Sequence, residues 1–91
     1  MDVDYRSLSD DLESGAFRQR LREELRDGFE RMNAEGDRLP PPSYYAAKIA
    51  EVIDAGAPVP LTKEFAYDLY QEILVACEEA RRDVVGDERT P

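Results

Sequence analysis

The sequence predicts an all-α protein, a small three-helix bundle with a partly ordered acidic N-terminal arm that has room for one extra short helix. Apolar residues recur at helical spacing in three segments, and glycine and proline separate these segments. With 91 residues, the chain is long enough for one domain with a small core. We therefore expect an acidic N-terminal arm at 1–14, a single helical domain at 15–86 and a disordered C-terminal tail at 87–91.

The N-terminal arm is acidic and has few apolar anchors. Its sizeable apolar residues are Tyr5, Leu8 and Leu12, and its single basic residue is Arg6. Ser9 precedes two aspartates, which is the expected chemistry of a helix N-terminus. A segment this short and charged cannot hold a helix by itself. We therefore expect a frayed arm that has room for one docked turn.

The first long helix is predicted to follow the break at Ser14 and Gly15. Its apolar residues recur every three or four positions and share one face: Phe17, Leu21, Leu25, Phe29 and Met32. Gly28 lies on that face, where a missing side chain is expected to let another helix backbone approach closely. Gly36 is expected to end the helix in a left-handed conformation.

The second helix is predicted to follow a spacer stiffened by three prolines at 40–42. We expect Ser43 to cap this helix and Gly56 to end it. Its apolar face comprises Tyr45, Ala46, Ile49, Val52 and Ile53. Tyr44 points about 100° away from its neighbour Tyr45 and is therefore expected at the rim of this face.

The third helix, predicted over Thr62–Val85, has apolar residues around more of its circumference than one neighbouring pair of helices would cover. Its core stripe is predicted to comprise Phe65, Ala66, Leu69, Ile73, Ala76, Cys77, Ala80 and Val84. Beyond this stripe lie Tyr67, Tyr70 and Leu74, which we call the aromatic shoulder. The shoulder is the candidate contact surface, and Tyr44 is expected to join it.

An acidic ridge is predicted on the other side of the third helix. It comprises Glu64, Asp68, Glu72, Glu79 and Asp83. The first helix carries a matching row of arginines spaced four apart, Arg18, Arg22 and Arg26. Either the two rows pair across the bundle as solvated flanks, or the ridge faces a basic partner outside the domain.

The composition argues against several classes of function. The chain has no histidine, which removes the commonest general base and transition-metal ligand, and it has no glycine-rich phosphate loop. The single cysteine, Cys77, lies among apolar residues and is expected to be a buried hydrophobe. We therefore expect no enzyme activity, no cofactor and no metal.

The net charge of −9 disfavours direct binding to nucleic acid or to anionic membranes. The N-terminal residues lack the apolar run of a signal peptide or a membrane span, so a cytoplasmic location is expected.

The sequence favours a non-enzymatic protein–protein interaction module, an adaptor, regulator or inhibitor that binds through the aromatic shoulder. Tyrosine is enriched in interface cores because it combines apolar area with a hydroxyl group. The expected partner is another protein or a second copy of the chain in a homodimer. This hypothesis fails if Tyr5, Leu8 and Leu12 of the arm cover the shoulder themselves.

The alternative is an acidic decoy that mimics nucleic acid, in the manner of a phage or conflict-system inhibitor, and blocks a basic groove on another protein. The residues that would carry this function are Glu64, Asp68, Glu72 and Glu79. Carboxylates four residues apart on a helix are separated by about 6 Å, which is comparable with phosphate spacing.

Overall fold

The computed structural model describes residues 4–86. These residues form four α-helices and no strand: α1 (Leu8–Ser14), α2 (Ala16–Ala34), α3 (Pro42–Gly56) and α4 (Lys63–Val85). The predicted all-α class is confirmed. The expected tail at 87–91 and the first three residues of the arm lie outside the described residues.

α4 is the central element of the fold, because it packs against both α2 and α3. It supplies the largest share of the buried core with Leu69, Ile73, Ala76, Cys77 and Ala80. The core is completed from the other elements by Leu8, Phe17, Leu21, Phe29, Leu39, Ala46 and Ile53. α1 packs against α2 and buries Leu8 in this core.

A smaller apolar cluster closes the bundle where α2 ends and α3 begins. Phe29, Leu39 and Ala80 form its buried centre. The ring of Tyr45 packs against Phe29 with 5.2 Å between ring centroids, and its hydroxyl contacts the sulfur of Met32 at 3.5 Å. Leu39 thereby anchors the start of the proline-rich connection to the bundle.

The ends of α2 and α4 have the expected capping chemistry. The backbone N–H of Phe65 donates to the side-chain oxygen of Thr62 at 3.1 Å, which satisfies one of the free donors of the first turn. At the end of α2, Gly36 adopts a φ of 82°. The N–H groups of Gly36 and Asp37 donate to Asn33 and Met32, which is the Schellman arrangement.

The predicted start of α1 is wrong. The helix begins at Leu8, so Ser9 lies inside it and Ser7 takes the N-cap position. The hydroxyl of Ser7 donates to Asp11 Oδ2 at 3.1 Å and accepts no hydrogen bond from the backbone. The apolar anchor at Leu8 thus decides where the helix begins.

The predicted cap of α3 is also wrong. α3 begins at Pro42, with Pro41 in the N-cap position, and Ser43 lies within the first turn. Proline suits the first helical position because its φ is already helical and its missing N–H would have no partner there. The proline run therefore belongs partly to the helix.

Gly28 does not have the role expected of it, whereas Gly56 ends α3 as predicted and has a second role. Within residues 4–86, a Cβ atom added at Gly28 would have no neighbour within 4 Å, so no described helix backbone approaches there. Gly56 ends α3 without a positive φ. A Cβ atom at Gly56 would instead lie 2.9 Å from the hydroxyl of Tyr5, so the close approach occurs at this glycine.

Among residues 4–86, no helix combines the length and the apolar character needed to cross a bilayer.

Candidate functional site

Burial divides the aromatic shoulder into an exposed part and a packed part. Tyr67 is 65% exposed, whereas Tyr70 and Leu74 are half-buried and pack against the core. Tyr44 is 55% exposed and packs edge-on against Tyr45, with 6.2 Å between the ring centroids. A partner could therefore reach the rings of Tyr67 and Tyr44, but only the outer parts of Tyr70 and Leu74.

The two exposed rings do not lie side by side. Tyr44 is the third residue of α3 and Tyr67 is the fifth residue of α4, and the two helices form a hairpin joined by residues 57–62. With a rise of about 1.5 Å per residue and helix ends level at the connection, the Cα atoms of the two tyrosines are offset by about 12 Å along the hairpin axis. Tyr44 has a cation beside it, since Lys48 Nζ lies 5.7 Å from its ring centroid. The two rings are thus separate features.

Tyr67 lies at one edge of an exposed face on the first half of α4. Glu64, Asp68 and Gln71 are exposed as well. Glu64 and Gln71 lie three residues before and four residues after Tyr67, and Asp68 lies four residues after Glu64, so all four residues share one face. We call these four residues the Tyr67 face. The sequence analysis did not predict Gln71 as a partner-binding residue. Its position one helical turn after Tyr67 is the signal that could have identified it.

The acidic ridge is paired with the arginine row over its C-terminal part. Arg22 donates to Asp83 through Nε and Nη2, both at 2.8 Å, and to Glu79 through Nη1 at 2.6 Å. Arg18 Nε lies 3.5 Å from Glu72 Oε2. Of the two alternatives for these rows, the structure thus shows pairing across the bundle at three of the five ridge carboxylates.

The N-terminal part of the acidic ridge differs from the C-terminal part in its ion pairing. Within residues 4–86, Glu64 and Asp68 form no ion pair, and both are exposed. These two carboxylates belong to the Tyr67 face. The ridge therefore contains an internally paired part and a part that is free to meet another molecule.

The ion pairs change the proton affinities of the groups that form them. The hydrogen bond from Arg22 holds the pKa of Asp83 below its ordinary value, and the charges of Arg22, Arg26 and Arg82 add to this effect against the opposing effect of burial. The same hydrogen bond raises the pKa of Arg22. Both groups therefore remain charged at neutral pH.

Cys77 is fully buried in the core, as the sequence predicts. Burial raises the pKa of its thiol to about 11, with a smaller contribution from the charge of Glu78. The thiol is therefore protonated at neutral pH, which is the opposite of the environment that activates a nucleophilic cysteine.

The arm does not cover Tyr67. Leu8 is buried and Tyr5 and Leu12 pack against the core, while Tyr67 remains 65% exposed with the arm in place. The hydroxyl of Tyr5 donates to the carbonyl oxygen of Ile53, so the arm runs towards the end of α3. Tyr5, Leu8 and Leu12 therefore do not cover Tyr67, and Tyr67 remains a candidate contact residue.

A groove of about 400 Å³ lies between α1 and α4, beside the Tyr67 face. Its lining residues are Ser9, Leu12, Glu13, Phe65, Asp68, Gln71 and Glu72. Asp68 and Gln71 belong to both features. Glu72 Oε2 is buried at the edge of the groove and has no hydrogen-bond partner within residues 4–86. In the same part of the chain, no three His, Cys, Asp or Glu side chains are arranged to hold a metal ion.

Comparison of the chain with protein-family models, with curated proteins and with solved structures gave no match. Any assignment of function therefore depends on the geometry of the chain itself.

Proposed function

We propose that this protein is a non-enzymatic protein–protein interaction module that acts as an adaptor, regulator or inhibitor and binds its partner through the Tyr67 face. The observation that carries the proposal is that Tyr67 is 65% exposed and shares a face with two exposed carboxylates that form no ion pair within residues 4–86. A tyrosine supplies a large apolar area together with a hydroxyl group, which is why this residue is enriched in interface cores.

The other shoulder residues have supporting roles in this proposal. Tyr70 and Leu74, which pack against the core, form the inner edge of the contact surface. Tyr44 is a second, separate contact for a partner large enough to span the hairpin. The helices α2, α3 and α4 act as a three-helix bundle that presents the surface, with the acidic arm docked against it.

The partner should offer an apolar or aromatic side chain to Tyr67 and hydrogen-bond donors or cations opposite Glu64 and Asp68. Complementary charges of this kind speed association and select among partners, while the ring supplies most of the affinity.

The ion pairs of the ridge favour this proposal over an acidic decoy. Glu72 and Glu79, two of the four carboxylates that a decoy would use, face Arg18 and Arg22 of the same chain. A decoy would have to present these charges to a basic groove, and the internal pairs reduce the field that such a groove would meet.

Quantitative affinity purification with the tagged full-length chain tests the proposal. The parent should recover a partner that Tyr67→Asp recovers at least about tenfold less, because a charge replaces the apolar centre of the contact. The matched control is Val52→Asp, since Val52 is 69% exposed on α3. Circular dichroism of each variant shows whether the helices are retained.

Two outcomes would contradict the proposal. One is equal recovery of the partner by Tyr67→Asp and the parent, and the other is equal loss in Tyr67→Asp and Val52→Asp. Raising the salt concentration separates the two candidate functions, because a decoy loses affinity steeply with salt while a contact centred on an aromatic ring does not.

A further inference from the structure

A single residue forms the hinge between α1 and α2. α1 ends at Ser14 and α2 begins at Ala16, and Gly15 between them adopts a left-handed conformation with φ 86° and ψ 0°. Glycine adopts this conformation at no steric cost, whereas a residue with a Cβ atom is disfavoured in it. A change at this one residue therefore determines the direction in which α1 leaves α2.

The contacts that hold the arm form a site on the remainder of the chain. Leu8 is only 3% exposed in the core, and Tyr5 donates to the carbonyl oxygen of Ile53 at 2.7 Å. Asp11 forms an ion pair with Arg20 of α2. None of these contacts involves Gly15, so the same site could accept the same residues from a second copy of the chain.

Straightening the hinge would leave the arm without a site on its own chain. If Gly15 became helical, α1 and α2 would merge into one helix from Leu8 to Ala34. At about 100° per residue, Leu8 and Leu12 would then lie about 140° and 180° from Leu21, on the face opposite the core stripe. Both leucines would be exposed to water unless another molecule covered them.

We infer that two copies of this protein can exchange their arms. Gly15 straightens in each copy, α1 and α2 form one continuous helix, and residues 4–14 of each copy dock into the site vacated by the other. Every contact of the arm is recovered in the dimer, so the exchange costs little beyond the association itself. At low concentration the arm of the same chain is favoured, because its effective concentration is higher.

This exchange goes beyond the proposed function and uses a different surface. The docked arm leaves Tyr67 65% exposed, and the same arm contacts made by a second copy would leave it uncovered by the arm as well. An exchanged dimer would therefore present two Tyr67 faces, and a partner with two binding sites would bind it more tightly than it binds the monomer.

The experiment compares the full-length parent with Gly15→Ala by size-exclusion chromatography with light scattering over a wide range of concentration. Alanine disfavours the left-handed hinge and favours the continuous helix, so Gly15→Ala should raise the dimer association constant by about tenfold or more. The matched control is Gly36→Ala. Gly36 has nearly the same φ of 82°, and a Cβ atom would meet no described atom within 4 Å there and only Arg18 Nη2 at 3.9 Å at Gly15, but Gly36 joins no docked arm.

Three results would overturn the inference: a Gly15→Ala chain that is monomeric at every concentration, an equal rise in Gly36→Ala, or a Gly15→Ala dimer that persists when Leu8→Asp is added. Leu8→Asp should remove the dimer because it prevents docking in either mode. If that double variant loses its helical signal, Leu8→Ala gives the same comparison, with Val59→Ala at an exposed position as its control. Adding Tyr67→Asp should leave the dimer unchanged. Loss of the dimer would be a fourth result against the inference, because it would place the contact on the Tyr67 face.

Discussion

Tyr5 and Ile53, which are 48 positions apart in the sequence, are joined by a hydrogen bond of 2.7 Å from the phenol hydroxyl to the backbone carbonyl oxygen. Ile53 lies in the last turn of α3, where carbonyl groups have no partner within the helix. Gly56 leaves the space in which the hydroxyl lies. One side chain of the arm thus satisfies a helix end and fixes the position of α1 on the bundle.

Tyr5→Phe should lower the free energy of unfolding by about 0.5–1.5 kcal/mol, since the carbonyl group of Ile53 loses its partner while the ring remains. Urea unfolding followed by circular dichroism measures the change. Tyr44→Phe is the control, because the ring of Tyr44 is more than half exposed. The arm contact is not formed in solution if the two variants are equally stable.

Alanine at the two helix glycines should change stability in opposite directions. Gly28→Ala should raise the free energy of unfolding by about 1 kcal/mol, because alanine is the better helix former and its Cβ atom meets nothing. Gly56→Ala should lower it, because its Cβ atom would lie 2.9 Å from the Tyr5 hydroxyl and would displace this hydroxyl from the carbonyl oxygen of Ile53, while a residue at the helix end gains little in propensity. Thermal unfolding of both variants measures the difference, and a gain at both positions would show that the Tyr5 ring does not rest on Gly56.

The sequence predicts the long helices well and their detailed contacts less well. Apolar spacing and capping residues are local signals, and they locate α4 to within one residue, including the cap at Thr62. The close approach at Gly56 depends on Tyr5, which reaches it only in the folded chain. The same limit applies to Gly28, where a position on the apolar face does not reveal whether another helix is present.

The candidate site was likewise predictable from the sequence only in part. Helical spacing alone identifies Tyr67 and Glu64 as neighbours on one face of α4, and both are exposed. Spacing cannot show how far the flanking helices extend around α4, so the half-burial of Tyr70 and Leu74 was not predicted. The pairing of Arg22 with Glu79 and Asp83 was one of two alternatives, and only the packing of α2 against α4 decides between them.

Asp83 should contribute to stability in a way that depends on pH. Its pKa is lowered in the folded chain by the hydrogen bond from Arg22, whereas an unfolded aspartate has a pKa of about 3.9. The contribution is therefore fully present above about pH 4 and is lost as the pH falls through the folded pKa. The urea midpoint of Asp83→Asn should lie below that of the parent at pH 7, and the two should converge under strongly acidic conditions. A difference that stays constant with pH would contradict the ion pair.

Cys77 should be inert in the folded protein. Its thiol is fully buried and its pKa is raised to about 11, so at pH 8 it is protonated and out of reach of reagents. A thiol-reactive disulfide reagent should label it only as fast as the core opens, and labelling should become rapid in concentrated urea. Rapid labelling of the native chain would contradict the packing of α4 and would reopen the question of a reactive thiol.

We propose above all that Tyr67 contacts a partner protein. A photoreactive benzophenone amino acid in place of Tyr67 tests this claim directly in cells, with the same replacement of Val52 as the control of equal exposure. Illumination should give a covalent adduct with one discrete protein from position 67 and none from position 52. No adduct from position 67, or the same adduct from both positions, would contradict the claim.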